Sequence, residues 1–395
     1  MTQFKQLLKK AHDKGLSPAA SAHLDAIRGT AAGAVLLMHA RHLFFIDWGQ
    51  LHKKSMLLRL FYASSEFGHD AVIVFFVLSG FLIGPGVLRS IHANRWSASR
   101  YFLRRFFRLE VVLFPALLLC LAWDLSGIHL FGLGGIYGGH ENYYPVGYNI
   151  SAGLSSLTFW GNAAFLQTLR VPTFGSDSPL WSLTNEFWYY MLFPSIALLF
   201  SSIHGKLARC FYGILACMIA WLVGATVLLY FPIWVMGAAM FYVPKPTVSR
   251  RLRRAMLAIS AVIFGCTTIL AHYSWKSGLV GDYCMSSAFC VFLYFLINSA
   301  PEINRRYSKI SHEMASSSYT LYVVHTPFLV FIAVWIGGRW IPTPLHVTYG
   351  ILLVCAAWIY AHLIHMVFEA HTDQIRTWAE RRMGMLPRQV ATSRQ

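Results

Sequence analysis

Residues 24–45 read LDAIRGTAAGAVLLMHARHLFF, and most of this stretch is apolar enough for a membrane-spanning helix. Two ionisable side chains interrupt it: Arg28 near its start and His39 eleven positions later. Eleven positions turn a helix through three full turns plus roughly 20°, so the two side chains share one face, about 16 Å apart along the axis. A snorkelling arginine and a histidine bonded within the bundle are the structural alternatives. Because ionisable groups at depth usually face the protein interior, the stretch predicts a helix with a polar inward side.

The composition extends this prediction to the whole chain. Of its 395 residues, 56 % are hydrophobic and only 12 % are charged, against about 25 % charged in soluble domains. Long apolar runs recur along the length, so we predict an all-α polytopic membrane protein of about ten transmembrane helices. The predicted spans are 26–45, 70–88, 111–131, 179–203, 210–230, 231–243, 255–273, 282–300, 316–336 and 346–369. Segment 150–169 is left open between a full span and a re-entrant or interfacial helix.

The distribution of basic residues orients these spans. With both termini in the cytoplasm, 25 of the 33 Lys and Arg residues fall in cytoplasmic segments and seven on the outer side. A full span at 150–169 would invert every later loop and place the basic run 250–254 outside. The net charge of +17 is then explained by orientation and by contact with anionic lipid, without nucleic acid.

The predicted organisation is one membrane domain with two flanking segments. Residues 1–25 form a cytoplasmic N-terminal segment, in which 2–12 are predicted to lie on the membrane as a short amphipathic helix. The ten-helix domain covers 26–369 and includes a long outer loop at 132–178, and 370–395 form a basic cytoplasmic tail. The seven cysteines show no paired metal spacing, and we expect free thiols and no metal.

Three further polar residues lie within predicted spans. Glu186 lies at a depth comparable to that of His39 and is placed to orient its imidazole, with a bundle-locking salt bridge or hydrogen bond as the alternative. His325 lies near mid-membrane just before Pro327, where a structural role is an equal alternative. Ser79 precedes Gly80 in an apolar run, a pattern that favours close helix packing or a cavity wall.

The segment 89–110 is rich in arginine and ends with Arg105 and Arg108 where the third span begins. The planar guanidinium suits phosphate oxygens, although topology charge and lipid headgroups explain such residues equally well. No Gly-rich Lys loop of the P-loop type is present, which argues against a nucleoside-triphosphate pump.

Five segments together resemble the acyltransferase-3 family of integral membrane acyltransferases. They are LDAIRGTAAGAVLLMHA, FFVLSGFLIG, RYFLRRFFRLEVVLFP, SPLWSLTNEFWYYMLFP and SSYTLYVVHTP, in this order over residues 22–336. The resemblance implies transfer of an acyl group, commonly acetyl, from cytoplasmic acyl-CoA to a hydroxyl of a surface or exported carbohydrate or glycolipid. It implies residence in the bacterial cytoplasmic (inner) membrane. Since the chain ends soon after the last predicted span, we expect the stand-alone form without a C-terminal hydrolase-like domain.

The resemblance also assigns roles to the polar residues. It makes His39 the catalytic histidine and Glu186 a functional carboxylate, and it makes Arg28, Arg105 and Arg108 contacts to the donor. We add His325 and Ser79 to the donor-binding set. The alternative function is a proton-coupled transporter or flippase that uses Arg28, His39 and Glu186 as a relay; it predicts inverted repeats and paired broken helices, neither of which the sequence shows.

Overall fold

The computed structural model describes residues 16–141, 143–240, 242–273, 278–299 and 302–383, so the predicted surface helix at 2–12 lies outside the described residues. Within these ranges the chain is helical and forms no strands. The α-helices are α1 (Pro18–Phe44), α2 (Met56–Ser64), α3 (Gly68–His92), α4 (Ala98–Phe131), α5 (Ser156–Ala163), α6 (Trp181–Leu199), α7 (Lys206–Met240), α8 (Arg250–Tyr273), α9 (Leu279–Ser299), α10 (Arg305–Ser316), α11 (Ser318–Ile336), α12 (Pro344–Val367) and α13 (Thr372–Arg382). Short 3-10 turns occur at Trp48–Gln50, Ile136–Gly138, Ser151–Gly153, Ser178–Leu180 and Glu369–His371.

Local sequence signals explain where several of these helices begin and end. The Ser17 side chain accepts a hydrogen bond from the backbone N–H of Ala20, and Pro18 occupies the first turn of α1. Ser97 caps α4 in the same way. Gly337 ends α11 in a left-handed conformation (φ 77°), which glycine adopts without steric cost.

Seven of the described helical segments are long and apolar enough to cross a membrane, which makes the chain a multi-pass membrane protein. The helices α1 and α6 fall outside this set, and both carry polar residues of the site described below. The count of ten spans and the cytoplasmic location of both termini stay predictions. The segment 150–169 forms only the eight-residue helix α5 with turns on either side. Eight residues rise about 12 Å, too little for a hydrocarbon core of about 30 Å, so this segment is no full span.

The boundary predicted at residues 230/231 is wrong. The helix continues through Pro232, and its break lies at Gly224, which has φ 70° and ψ −178°. Trp221, before the break, lies near Arg170, whereas Val227, after it, accepts a hydrogen bond from Tyr189. A glycine supplies the positive φ that other residues avoid, so Gly224 ends the first half of α7.

Burial separates central from peripheral helices. The apolar segment that contains α3 is 72 % buried, and that of α11 is 56 % buried, whereas those of α8 and α12 are only 11 % buried. Exposed apolar side chains such as Val262 and Ile359 cover the peripheral helices. Lipid is the solvent for such exposed apolar surfaces, so the peripheral helices face it. The more buried helices α3 and α11 form the interior, and α11 packs against both α1 and α4.

The 132–178 loop is anchored to α4. The backbone N–H and hydroxyl of Ser176 both donate to the Asp124 carboxylate at 2.7 Å, and Asn162 bonds the backbone of Pro172 and Phe174. Asp177 beside them is fully buried, and burial together with the charge of Asp124 raises the pKa of the Asp177 carboxyl. These bonds hold the loop against the helical core.

Candidate active site

A polar cavity of about 290 Å³ lies among α1, α3, α4, α6 and α11. Apolar side chains of α3 form much of its wall, including Val72 and Phe76. The polar side chains that line it are Arg28, Ser79, Arg105, Arg108, Ser182, Glu186, Tyr190, Ser318, Tyr319 and Tyr322. A cavity in which polar groups converge inside an otherwise apolar bundle is the usual form of a small-molecule site.

Three cations lie at one end of this cavity, which we call the arginine end (Arg28, Arg105 and Arg108). Arg28 lies 3.5 Å from the Ser318 hydroxyl at the start of α11, and 3.9 Å from Asp25. Arg108 lies over the ring of Tyr319, next along α11, at 5.8 Å from its centroid. The start of α11 therefore marks the arginine end.

The two arginines of α4 that line the cavity, Arg105 and Arg108, are bonded differently. Arg108 Nη1 donates to Glu369 at 2.7 Å, and that carboxylate is buried and also accepts from Thr320 and His365. Arg105 lies 5.8 Å from the ring centroids of Tyr101 and Tyr190, and among the described residues it has no carboxylate partner. Arg105 is therefore the less neutralised of the pair.

The middle of the cavity holds a hydrogen-bonded cluster around Glu186. One carboxylate oxygen accepts from the Ser79 hydroxyl at 3.1 Å and from the Tyr190 hydroxyl. Trp234 of α7 donates its indole N–H to Ser79 at 3.1 Å. The cluster joins α3, α6 and α7 and holds the Glu186 carboxylate in place.

The two histidines meet beyond the cavity. His39 Nδ1 lies 2.8 Å from His325 Nε2, and both rings are buried, at 4 % and 1 % exposed. Tyr322, one helical turn before His325, lines the cavity and lies 6.4 Å from the His325 ring. Since Ser318, Tyr322 and His325 share one face of α11, this face leads from the arginine end to the histidine pair.

The 132–178 loop covers the other side of the pair. The Tyr144 ring lies 5.9 Å from His39 and 4.9 Å from His42, and the Tyr144 side chain is 53 % exposed. His42 also lies 3.4 Å from Glu66. An exposed aromatic face thus lies next to the buried histidine pair.

The structure brings the predicted site residues into two neighbouring places. Five of them line the cavity, namely Arg28, Ser79, Arg105, Arg108 and Glu186. His39 and His325 form the pair. Neither histidine is among the described residues that line the cavity. Arg28 and His39 both contact α11, in agreement with a shared helix face.

The predicted contact between Glu186 and His39 is wrong. Glu186 is bonded to Ser79 and Tyr190, whereas the imidazole of His39 is bonded to His325. The sequence predicts a similar membrane depth for Glu186 and His39. Depth alone does not determine which side of a helix faces which neighbour. Catalytic participation of Glu186 stays a prediction.

Several contributors escaped the sequence analysis. Tyr190, Tyr322 and Trp234 look like ordinary apolar-span aromatics in the sequence, and only their polar atoms' partners distinguish them. Glu369 lies at the end of the predicted last span. An acidic side chain there was the sequence signal that could have identified it as a partner of Arg108. Among the described residues, no group of three or more His, Cys, Asp or Glu side chains is arranged to hold a metal ion.

The fold and the site together define a multi-pass membrane protein with a polar cavity that has cations at one end and a histidine pair beyond the other. A family model described as an acyltransferase domain matches residues 21–362. The chain belongs to the acyltransferase-3 family and is a membrane acyltransferase. Neither the curated proteins nor the solved structures compared with the chain give a match.

Proposed function

We propose that the protein transfers an acyl group, most simply acetyl, from acyl-CoA to a hydroxyl of a carbohydrate or glycolipid at the opposite membrane face. The observation that carries this proposal is the continuous face of α11 that joins the arginine end to the histidine pair. Membership of the acyltransferase-3 family supports acyl transfer in general.

The positive charge of the arginine end suits a phosphate-bearing donor. Acyl-CoA carries several phosphates, and a guanidinium binds phosphate through charge-assisted hydrogen bonds. Arg28 and Arg105 line the cavity at the arginine end and provide such donors. The thin acyl-bearing arm would then follow the α11 face past Tyr322 toward His39. This arrangement separates the phosphate-binding end from the reacting end.

The histidine pair provides the base for the transfer. His39 removes the proton of the acceptor hydroxyl as its oxygen attacks the thioester carbonyl. The carbon–sulfur bond then breaks, and the imidazolium returns the proton to the departing thiolate. The products are the acyl ester and free CoA thiol, so every atom is accounted for without a further reactant.

The surface next to His39 suits a carbohydrate-bearing acceptor. Tyr144 presents an exposed aromatic face close to the pair, with His42 and the half-buried Glu66 around it. An aromatic face with nearby polar groups suits the apolar face and hydroxyls of a sugar ring. This supports a carbohydrate-bearing acceptor.

The test is a His39→Ala variant of the full-length protein. We expect acyl transfer to fall by about 10²- to 10⁴-fold, the usual contribution of a general base, while acetyl-CoA binding is retained. Transfer is measured by mass spectrometry of CoA release by the purified protein with extracted surface glycans and lipids, and of acylated glycans from cells with and without it.

The matched control is His346→Ala, because His346 lies at the start of α12, away from the cavity. Unchanged turnover in His346→Ala and lost turnover in His39→Ala support the proposal. Retained acceptor acylation by a folded His39→Ala protein would refute His39 as the base. Absence of any acetyl-CoA consumption by the wild-type protein, with every extracted acceptor, would refute the donor.

A further inference from the structure

We propose that His325 is a positioning residue that fixes the tautomer of His39, so that His39 Nε2 is the nitrogen that accepts the acceptor's proton. This inference rests on the proposed function, because it concerns the base of that reaction. It gives His325 a role different from the donor contact expected from the sequence.

The first step is the tautomer of His325. Its Nδ1 lies 2.8 Å from the backbone carbonyl oxygen of Leu321. A carbonyl oxygen only accepts hydrogen bonds, so Nδ1 must carry the hydrogen. A neutral imidazole has one N–H, which leaves a lone pair on His325 Nε2.

The second step transmits this choice to His39. His325 Nε2 lies 2.8 Å from His39 Nδ1 and 3.2 Å from the Thr326 hydroxyl. Because His325 Nε2 can only accept, His39 Nδ1 must be the donor of their hydrogen bond. The single N–H of neutral His39 is then on Nδ1, and its Nε2 holds the free lone pair.

The third step concerns charge. Among the described residues, neither ring has a carboxylate in hydrogen-bond contact, and Glu186 is bonded elsewhere. When His39 Nε2 takes a proton, the resulting imidazolium keeps its Nδ1–H on the lone pair of His325. His325 thus orients the base and stabilises its cationic form while remaining neutral, in the position that the carboxylate occupies beside the histidine of a Ser-His-Asp triad.

The test compares three substitutions of His325 that differ in hydrogen-bonding reach. In His325→Gln the amide oxygen reaches about as far as Nε2 and accepts from His39. In His325→Asn the amide reaches only as far as Nδ1, and in His325→Phe the ring fills the volume without an acceptor. We expect turnover to fall by less than tenfold in Gln and by about 10²-fold or more in Asn and Phe, at unchanged acetyl-CoA affinity.

The matched control is His346→Gln. The Nδ1 of His346 also bonds a backbone carbonyl, that of Ile341 at 2.7 Å, but its ring lies against Trp340 and away from the pair. We expect its turnover to equal that of the wild type. Thermal unfolding of all four variants separates loss of turnover from loss of folded protein.

A direct readout is the ¹⁵N chemical shifts of histidine-labelled protein, with the His39 signals assigned by their loss in His39→Ala. We expect a protonated Nδ1 and a bare Nε2 on His39 in the wild type and in His325→Gln, and a mixture of tautomers in His325→Phe. A merely structural role for His325 predicts no tautomer difference among folded variants.

The outcomes separate this inference from the proposed function. Wild-type turnover in a folded His325→Phe protein overturns the positioning role while leaving His39 as the base. Weakened acetyl-CoA binding at unchanged turnover assigns His325 to the donor site and also overturns it. Activity in His39→Ala refutes the base itself, whatever the His325 variants show.

Discussion

Three arginines of α4, spaced over about one helical turn, have different partners. Arg104 and Arg108, four positions apart, share a face and bond Glu380 at 3.4 Å and Glu369 at 2.7 Å. Arg105 is turned by about 100° from Arg104 and lies near Tyr101 and the cavity-lining Tyr190. Its Nε is buried and has no hydrogen-bond partner among the described residues. A buried, unpaired donor beside a cavity favours an anionic ligand there.

We therefore predict that Arg105→Ala weakens acetyl-CoA binding by about tenfold or more, since a hydrogen bond to a charged group contributes about 1.5–3 kcal/mol. Arg105→Lys keeps the positive charge without the planar guanidinium, so it should lose less acetyl-CoA affinity than Arg105→Ala. The measurement is acetyl-CoA affinity of the purified variants by calorimetry.

Arg108→Ala should behave differently, because it leaves the buried Glu369 carboxylate without its cation. We predict a lower unfolding temperature, with a smaller change in acetyl-CoA affinity than in Arg105→Ala. Adding Glu369→Gln to Arg108→Ala removes the uncompensated charge and should restore part of the stability. Equal losses of affinity at both arginines, with unchanged stability, would contradict this division of roles.

The residue scale also shows where sequence reasoning stops. The shared face of Arg28 and His39 follows from helical periodicity within one segment, and the structure agrees with it. The partner of His39 depends on how α1 packs against α11. The two histidines that meet there are 286 positions apart in the sequence. No local pattern contains that contact, and Glu186 was the wrong choice for that reason.

At the scale of elements, the crossing of α3 and α7 sets the wall of the cavity. A Cβ added at Gly80 would overlap the carbonyl of Trp234, and one added at Gly237 would overlap the carbonyl of Val77. The two glycines therefore permit a close backbone approach on both sides of the same contact. The close approach also brings the Trp234 indole to Ser79. The sequence offered close helix packing or a cavity wall for Ser79-Gly80, and the structure shows both. Gly80 packs against α7, and Ser79 lines the cavity.

We predict that Gly237→Ala lowers the unfolding temperature and the acyl-transfer rate together, because it pushes α7 away from α3 and from Ser79. Helix propensity alone would favour alanine by about 1 kcal/mol, so a loss of stability isolates the steric effect. Thermal unfolding in detergent and turnover with acetyl-CoA provide the two readouts.

The control is Gly265→Ala on α8, where an added Cβ meets nothing within 4 Å. That variant should be neutral or slightly more stable than the wild type. If Gly237→Ala is as stable and active as Gly265→Ala, the α3–α7 crossing does not depend on glycine.

The break in α7 illustrates a limit at the same scale. From the sequence, Pro232 looked like the point where one span ends and the next begins. The structure retains helix through Pro232 and breaks it at Gly224, because membrane helices tolerate proline where neighbours satisfy the freed backbone. The helix breaks where Gly224 has a positive φ, and no sequence pattern predicts that conformation.

At the scale of the whole molecule, the arginine end and the exposed Tyr144 face must open to opposite sides of the membrane if acyl-CoA and the acceptor are to reach one site. Tyr144 follows α1, α3 and α4 in the chain, so the predicted map meets this requirement if each of these three helices crosses the membrane. The 150–169 segment follows Tyr144 and affects the orientation of the later spans. The eight residues of α5 are too few to cross, which supports the predicted orientation of those spans. Charge counting and helix length, two independent arguments, thus agree on this segment.

Sidedness can be measured at two exposed glycines with open surroundings, Gly49 and Gly205, where an added side chain meets nothing within 4 Å. Three crossings separate them in the predicted map, so they should lie on opposite faces. We predict that Gly49→Cys, in a background with the seven native cysteines replaced, reacts with a membrane-impermeant maleimide in intact cells. Gly205→Cys should react only after permeabilisation. Labelling of both from outside would mean an even number of crossings between them in place of three. Labelling of Gly205 alone would mean an inverted protein with its arginine end away from cytoplasmic acyl-CoA.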